Sequence, residues 1–263
     1  MDADKLKEIT DNPDFVSGIH DYCDRWCERC PYTMRCSVYA IEQEELCADE
    51  GAEDEQQVTL DKLQSMLRLS MAMVREQAEE AGIDLEAVTE EDKAAVRAPR
   101  QEAKEHPCVK QAVAYREAVG LWLKRVQPAL KEKGQAMETE ARLELPGQDV
   151  ETEFSELKDA FAIIQWYYLF IGVKLVRAAS QIPTEDPDQI EHQQTDQCGT
   201  AKVALVAMDR SLAAWTQLRN HLPDEGDNIL DFLVQLERLR KATEAWLPEA
   251  RAFVRPGLDE AEA

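Results

Sequence analysis

From Val150 to Ala178 the apolar residues Val150, Phe154, Leu157, Phe161, Ile164, Tyr168, Ile171, Leu175 and Ala178 recur in alternating steps of four and three. That spacing is the seam of a helix laid lengthwise on other helices. Weaker versions of the same pattern run through most of the chain. Thr59 precedes Leu60, Leu63, Leu67 and Val74, a helix that should stop near Gly82. Thr89, followed by Glu90, Glu91 and Asp92, has the form of a helix start. Pro107 opens a helix through Ala112, Tyr115, Val119 and Trp122, with Pro128 expected to kink or stop it. Further helices are predicted from Thr200 to Leu222, with Val203, Val206, Leu212, Trp215 and Leu218 inward, and after Pro223–Asn228, with Ile229, Phe232, Leu233, Leu236, Leu239 and Trp246 inward. Between them Ile182–Gly199, with two prolines and five acids, reads as a long loop. Strand-like alternation and internal repeats are absent, so the expected fold is all-α, an antiparallel helical bundle over residues 59–254. The most apolar run, Ala160–Val176, is broken by Gln165 and Lys174. It falls short of the roughly 20 apolar residues of a membrane span and predicts a buried helix.

The pattern changes before residue 59. Ile41–Val58 carries eight acids, no base and Gly51 in its middle, which predicts a solvated linker over 49–58. It sets off an N-terminal module, residues 1–48, too short to hold a substantial core unaided. Residues 255–263 read as an acidic tail. That module holds the densest chemistry in the chain, because Cys23, Cys27, Cys30 and Cys36 fall within fourteen residues while the other three cysteines are scattered. If Phe15–Arg29 is helical, Cys23, Cys27 and Cys30 lie on one stripe at i, i+4 and i+7. Pro31 then pushes Cys30 out of the helical region and turns the chain so that Cys36 returns to the other three.

Charge and compartment bear on what these thiols do. With 53 acidic against 30 basic side chains the formal charge is −23, which opposes contact with nucleic acid phosphates and anionic membranes and favours a neutral or basic protein partner. Met1-Asp2-Ala3-Asp4-Lys5-Leu6-Lys7 lacks the pattern of a secretory signal, so a cytoplasmic location is expected. Thiols there stay reduced, and a dense cysteine group reads as a metal site rather than a disulfide set. Structural zinc pairs two short knuckles across a longer stretch. Here all four cysteines form one run with gaps of three, two and five, which favours a [4Fe–4S] cluster, with Zn2+ as the alternative. Arg25, Arg29 and Arg35 would offset the negative charge of a tetrathiolate centre, and Trp26, Tyr32 and Met34 would shield it. His20 is a further candidate ligand.

The stretch Cys27-Glu28-Arg29-Cys30-Pro31-Tyr32-Thr33-Met34-Arg35-Cys36 resembles the iron–sulfur knuckle of RecB-like nucleases, in which three late cysteines join a distant early one around a [4Fe–4S] cluster. The likeness covers ten residues and implies a cluster. It does not imply nuclease activity, since those enzymes carry the knuckle after a mixed α/β core. Cys23-x3-Cys27-x2-Cys30 is also similar to the radical S-adenosylmethionine signature, which in that family lies on a loop after a barrel strand. The layout as a whole resembles uncharacterised bacterial all-helical proteins with an N-terminal cysteine cluster. The likeness there rests on Ile164, Trp166, Tyr167, Lys174, Arg177 and Ala178, then on Ala201–Leu205, Asp209–Ser211 and Trp215. It implies no activity.

Elsewhere the chemistry is sparse. Lys174 and Arg177 sit among apolar neighbours on one predicted helix, and Asp209 on the next. A buried polar cluster pairing Lys174 or Arg177 with Asp209 is expected, as a structural ion pair. None of His20, His106, His192 and His221 follows an acid by three positions, which excludes the Glu-x-x-His di-iron bundle. Phosphate-binding glycine loops are absent. The expected function is an iron–sulfur-binding helical protein with a redox, sensing or protein-interaction role. The alternatives are a zinc-stapled helical adaptor and an iron–sulfur enzyme with an unrecognised pocket.

Overall fold

The computed structural model describes residues 3–47, scattered positions between 64 and 87, and residues 89–142, 150–182 and 184–259. Its long elements are α1 (Ala3–Thr10), α2 (Ser37–Cys47), α3 (Glu90–Ala103), α4 (Pro107–Arg142), α5 (Val150–Ala179), α6 (Pro187–His221) and α7 (Gly226–Trp246). Short 3-10 turns lie at Cys27–Arg29, Thr33–Arg35, Leu85–Ala87, Pro223–Glu225 and Pro248–Arg251. No strand occurs among the described residues, and the fold is all-α as the periodicity predicts.

The chain divides into two compact units, residues 1–95 with 254–263, and residues 96–253. The division falls inside α3 rather than at the acidic stretch after residue 48, and the C-terminal residues belong with the N-terminal unit. The expected linker 49–58 lies outside the described residues, as do Leu60 and Leu63 of the helix predicted after it. Of that helix, Leu67 and Val74 are described and are more than half exposed, so they do not form the inward stripe that their spacing predicts. Gly82, at φ +68°, accepts the left-handed conformation that ends a helix. Thr89 and Asp92 bond reciprocally, the Asp92 amide to Thr89 Oγ1 at 3.1 Å and the Thr89 amide to Asp92 Oδ2 at 2.8 Å, which caps α3 as the Thr-x-x-acid pattern foretells.

In the second unit α5 packs on α4 and α6, and α7 on α6 and α4. A Cβ at Gly172 would lie 3.9 Å from Ala112, one at Gly120 3.6 Å from Tyr168, and one at Gly134 3.5 Å from Phe154. Tyr167 meets Arg210 and His221 meets Glu153 across α5 and α6. His106, just ahead of α4, lies 4.0 Å from the Trp246 ring at a tilt, and Trp122 of α4 meets Phe232 of α7 edge-on at 5.9 Å. At the centre Trp215, fully buried, donates its Nε1–H to the Tyr115 hydroxyl at 2.8 Å, with Trp122 and Phe232 at 5.0 and 4.8 Å. Large aromatic groups buried together, with their polar atoms paired, anchor such a core. The α5 stripe of Val150, Leu157, Ala160, Ile164, Tyr167, Ile171, Leu175 and Ala178 is buried. Leu169 and Val173 are exposed on its other side. α5 is, by length and composition, apolar enough to cross a membrane. The buried stripe is that of a helix packed on protein neighbours.

Two sequence expectations are corrected here. Residues 187–199 are not loop, because α6 begins at Pro187. Asp186 caps it, accepting from the Asp188 amide at 3.1 Å, with Pro187 in the first turn where its missing N–H costs nothing. The first turns of α6 carry few apolar side chains, so their helix leaves no amphipathic trace. Pro128 does not stop α4, which runs on to Arg142. Pro128 lies on the exposed face, where water can satisfy the Lys124 carbonyl that has lost its helical donor.

Candidate metal centre

Between Thr10 and Ser37 the chain is a succession of turns rather than the helix expected over Phe15–Arg29. Three local features displace that helix. Gly18 sits at φ +73°, the Asp24 carboxylate takes the Trp26 amide at 3.2 Å, and Arg25 adopts φ +57° between them. Side chains that bond their own backbone, together with left-handed residues, compete directly with helical hydrogen bonds. Cys27–Arg29 then forms a single 3-10 turn, and Cys30 is extended (φ −84°, ψ 122°) as the following Pro31 requires. A second turn, Thr33–Arg35, ends at extended Cys36, immediately before α2. The Val16 amide bonds the Arg35 carbonyl at 3.0 Å and closes the segment on itself.

Cys23, Cys27, Cys30 and Cys36 line one small cavity of about 30 Å³, together with Ile19, His20, Trp26 and Tyr39. All four are half-buried cysteines outside any disulfide. Cys23 donates weakly to the His20 carbonyl at 3.4 Å. The Cys27 thiol is pushed up to about 11, first by burial, then by the Glu42 charge, then by Cys23, Cys36 and Cys30. A thiolate there is opposed by every neighbour except a cation. His20 keeps its Nδ1 buried with no hydrogen-bond partner, while its Nε2 lies 3.5 Å from Asp21 Oδ1. Among the described residues, no three His, Cys, Asp or Glu side chains converge as a ready-made site for a single metal ion.

The expected surroundings of the cysteines are met in part. Arg25 and Trp26 line the cavity, and the Arg29 guanidinium stacks 3.9 Å over the Trp26 ring. Arg35 ends the second turn and Tyr32 precedes it, and neither lines the cavity. Met34 is 82% exposed and shields nothing. Tyr39, Ile19 and Leu258 supply the apolar wall instead. Tyr39, on α2, does carry a local signal, its spacing of about one helical turn from Cys36. Leu258 carries no local signal.

Cys108 and Cys198 stand apart in the second unit. Burial raises both thiols. Thr243 bonds Cys108, and Glu249 adds to the rise at Cys198. The pairing expected among Lys174, Arg177 and Asp209 does not form. Arg177 bonds Asp196, from the early turns of α6. Asp209 is held by Arg251 and Arg240. Lys174 lies 5.1 Å over the Phe170 ring. None of the three is buried, so their charges stay solvated and require no common partner. The second unit also bears two open grooves of about 660 and 590 Å³ along α4 and α5, which share Arg116 and Leu169.

Comparison with protein families, with curated proteins and with solved structures finds no match to this chain.

Proposed function

We propose that this is an iron–sulfur-binding helical protein in which Cys23, Cys27, Cys30 and Cys36 hold a [4Fe–4S] cluster and the second unit is an antiparallel helical bundle. Its role is redox, sensing or protein interaction in the cytoplasm. One observation carries the reading: four thiols brought by two consecutive 3-10 turns to a single cavity, in a segment with almost no core of its own. The residues fit such a group. The Cys27 thiol, kept protonated first by burial, then by the Glu42 charge and then by its cysteine neighbours, is in a state that metal binding relieves by displacing the proton. His20 contributes a buried nitrogen still in want of a partner.

Zinc is the second reading. A tetrahedral ion needs its sulfurs about 2.3 Å from one point, and no such convergence exists among the described residues. A cubane binds each thiolate to a separate iron at a corner, and the single run of four cysteines with gaps of three, two and five supports the cluster over zinc. When bound, the cluster supplies one-electron chemistry. The chain supplies the ligands, the Arg25 and Arg29 charges nearby, and the apolar cover of Ile19, Trp26 and Tyr39. The partner expected is a neutral or basic protein.

The test is anaerobic purification followed by iron, zinc and acid-labile sulfide analysis and visible absorbance. Iron and sulfide in equal amounts, with a brown chromophore, are expected. Replacing any one of Cys23, Cys27, Cys30 and Cys36 by Ser should remove most of the metal, and Cys108→Ser and Cys198→Ser should leave it intact. One zinc in colourless protein selects the adaptor reading, and metal-free protein with four titratable thiols overturns both.

A further inference from the structure

The wall of the cysteine cavity is completed from the far end of the chain. Leu258 lines it together with Ile19 and Tyr39. Leu258 belongs to a tight turn that is built in detail. The Arg255 carbonyl accepts the amides of Leu258 and Asp259 at 3.1 Å each. The Arg255 guanidinium grips the Asp259 carboxylate through Nε and Nη2 at 3.0 and 2.7 Å, and its amide bonds Asp259 Oδ2 at 3.1 Å. Gly257, at the crest of this turn, is buried at φ +65°, and a Cβ there would lie 2.8 Å from Val16 Cγ1 and 3.2 Å from Ile19 Cδ1. Only a glycine fits this cradle, because the left-handed backbone and the lack of space exclude a side chain independently. Ile19, on which it rests, is 3% exposed and itself lines the cavity. A merely solvated acidic tail, as the composition of 255–263 predicts, would need neither the glycine nor the bidentate pair.

We propose that the C-terminal turn Arg255–Asp259 is a part of the cysteine site, its shield. Gly257 seats the turn on Val16 and Ile19, and Leu258 closes the cavity and limits how fast oxidants, chelators and alkylating agents reach the four thiols. Apolar cover of this kind controls solvent access and dielectric at a metal site. It also sets thiol reactivity in the metal-free protein, where access to the sulfur is one determinant of rate. As a shield of the cluster it rests on the iron–sulfur reading. As a cover of the thiols it does not.

The experiment uses the full chain in three variants: Gly257→Val, which unseats the turn; Leu258→Ala, which removes the wall and leaves the turn in place; and Val254→Ala, an exposed position of the same segment that serves as control. In metal-free protein, maleimide modification of Cys23, Cys27, Cys30 and Cys36 is followed by mass spectrometry. In anaerobically prepared protein, iron loss to a chelator is followed by bleaching of the visible absorbance. Both rates should rise about tenfold in Gly257→Val and severalfold in Leu258→Ala, with Val254→Ala unchanged and maleimide labelling of Cys108 unaltered in all three. Equal thiol rates in wild type and Leu258→Ala, with circular dichroism unchanged, overturn the proposal. If the wild type binds no metal, the iron–sulfur reading fails and the maleimide arm alone decides the shield.

Discussion

The Glu225 carboxylate, just ahead of α7, shows how single residues tie the second unit together. It accepts from Trp122 Nε1 at 2.8 Å, from both terminal nitrogens of Arg125 at 2.8 and 2.7 Å, and from Asn228 at 3.0 Å. Hydrogen bonds from the Arg125 guanidinium, with smaller help from Trp122, hold its proton affinity below the ordinary glutamate range. A carboxylate whose folded value is depressed adds stability that is present above the unfolded value and lost as pH falls through the folded one. Glu225→Gln should therefore cost about 1 kcal/mol at pH 7, and the gap between variant and wild type in denaturant titrations should narrow below about pH 4.5. A gap that stays constant down to pH 3 would show that packing, not charge, makes Glu225 valuable. The same scale exposes the limit of reading charges from sequence. Arg177 and Asp209 each have a close partner, but Asp196 and Arg251 respectively, because which charge faces which is decided by helix rotation.

At the scale of elements, α6 rests on a polar cap and α4 tolerates a proline, and both depend on where solvent lies. The Asp186 side chain takes one orphan amide at the start of α6, and its loss should cost about 1 kcal/mol. Because the first turns of α6 are largely exposed, the cost should be local. Asp186→Ala should speed amide hydrogen exchange over residues 188–198 and leave the amides around Trp215 as protected as before. Uniformly faster exchange to the end of α6 would mean that the polar turns and the buried ones unfold together. The 3-10 turns of the cysteine segment are elements of another kind. Each orders only a few residues, so they need external ties such as the Val16–Arg35 bond and, on our reading, the metal.

For the molecule as a whole, the division into two units predicts unequal responses to metal. The second unit owns the large aromatic core around Trp215, whereas the first owns few buried apolar residues among those described. Removing metal by chelation should loosen residues 10–36 and leave most of the helical circular dichroism and its thermal midpoint in place. Collapse of the whole helical signal would make the cysteine segment part of the main core. With a formal charge of −23, the protein should bind oligonucleotides weakly at physiological salt. Submicromolar, salt-dependent binding would instead point to the arginines near the cysteines as a phosphate site.

Periodicity alone was enough to locate the cores of α4, α5 and α7, since Tyr115, Trp122, Ile164, Leu175, Phe232 and Leu236 must be buried on any helical reading of their spacing. The Thr89 cap, the end at Gly82 and the extended Cys30 before Pro31 were likewise local matters of side-chain reach and allowed backbone angles, and the four cysteines announced themselves by density. What tertiary structure decided was everything that depends on distant chain segments or on orientation. The cysteine segment runs in turns along one cavity because Gly18, Asp24 and Arg25 outcompete a helix, the exchanged partners of Arg177 and Asp209 follow from how α5, α6 and the 248–251 turn face one another, and Leu258 reaches the cavity only because Gly257 fits against Val16 and Ile19. Short-range physics is written residue by residue and can be read so. A contact between chain ends is a property of packed surfaces, and no local pattern encodes it.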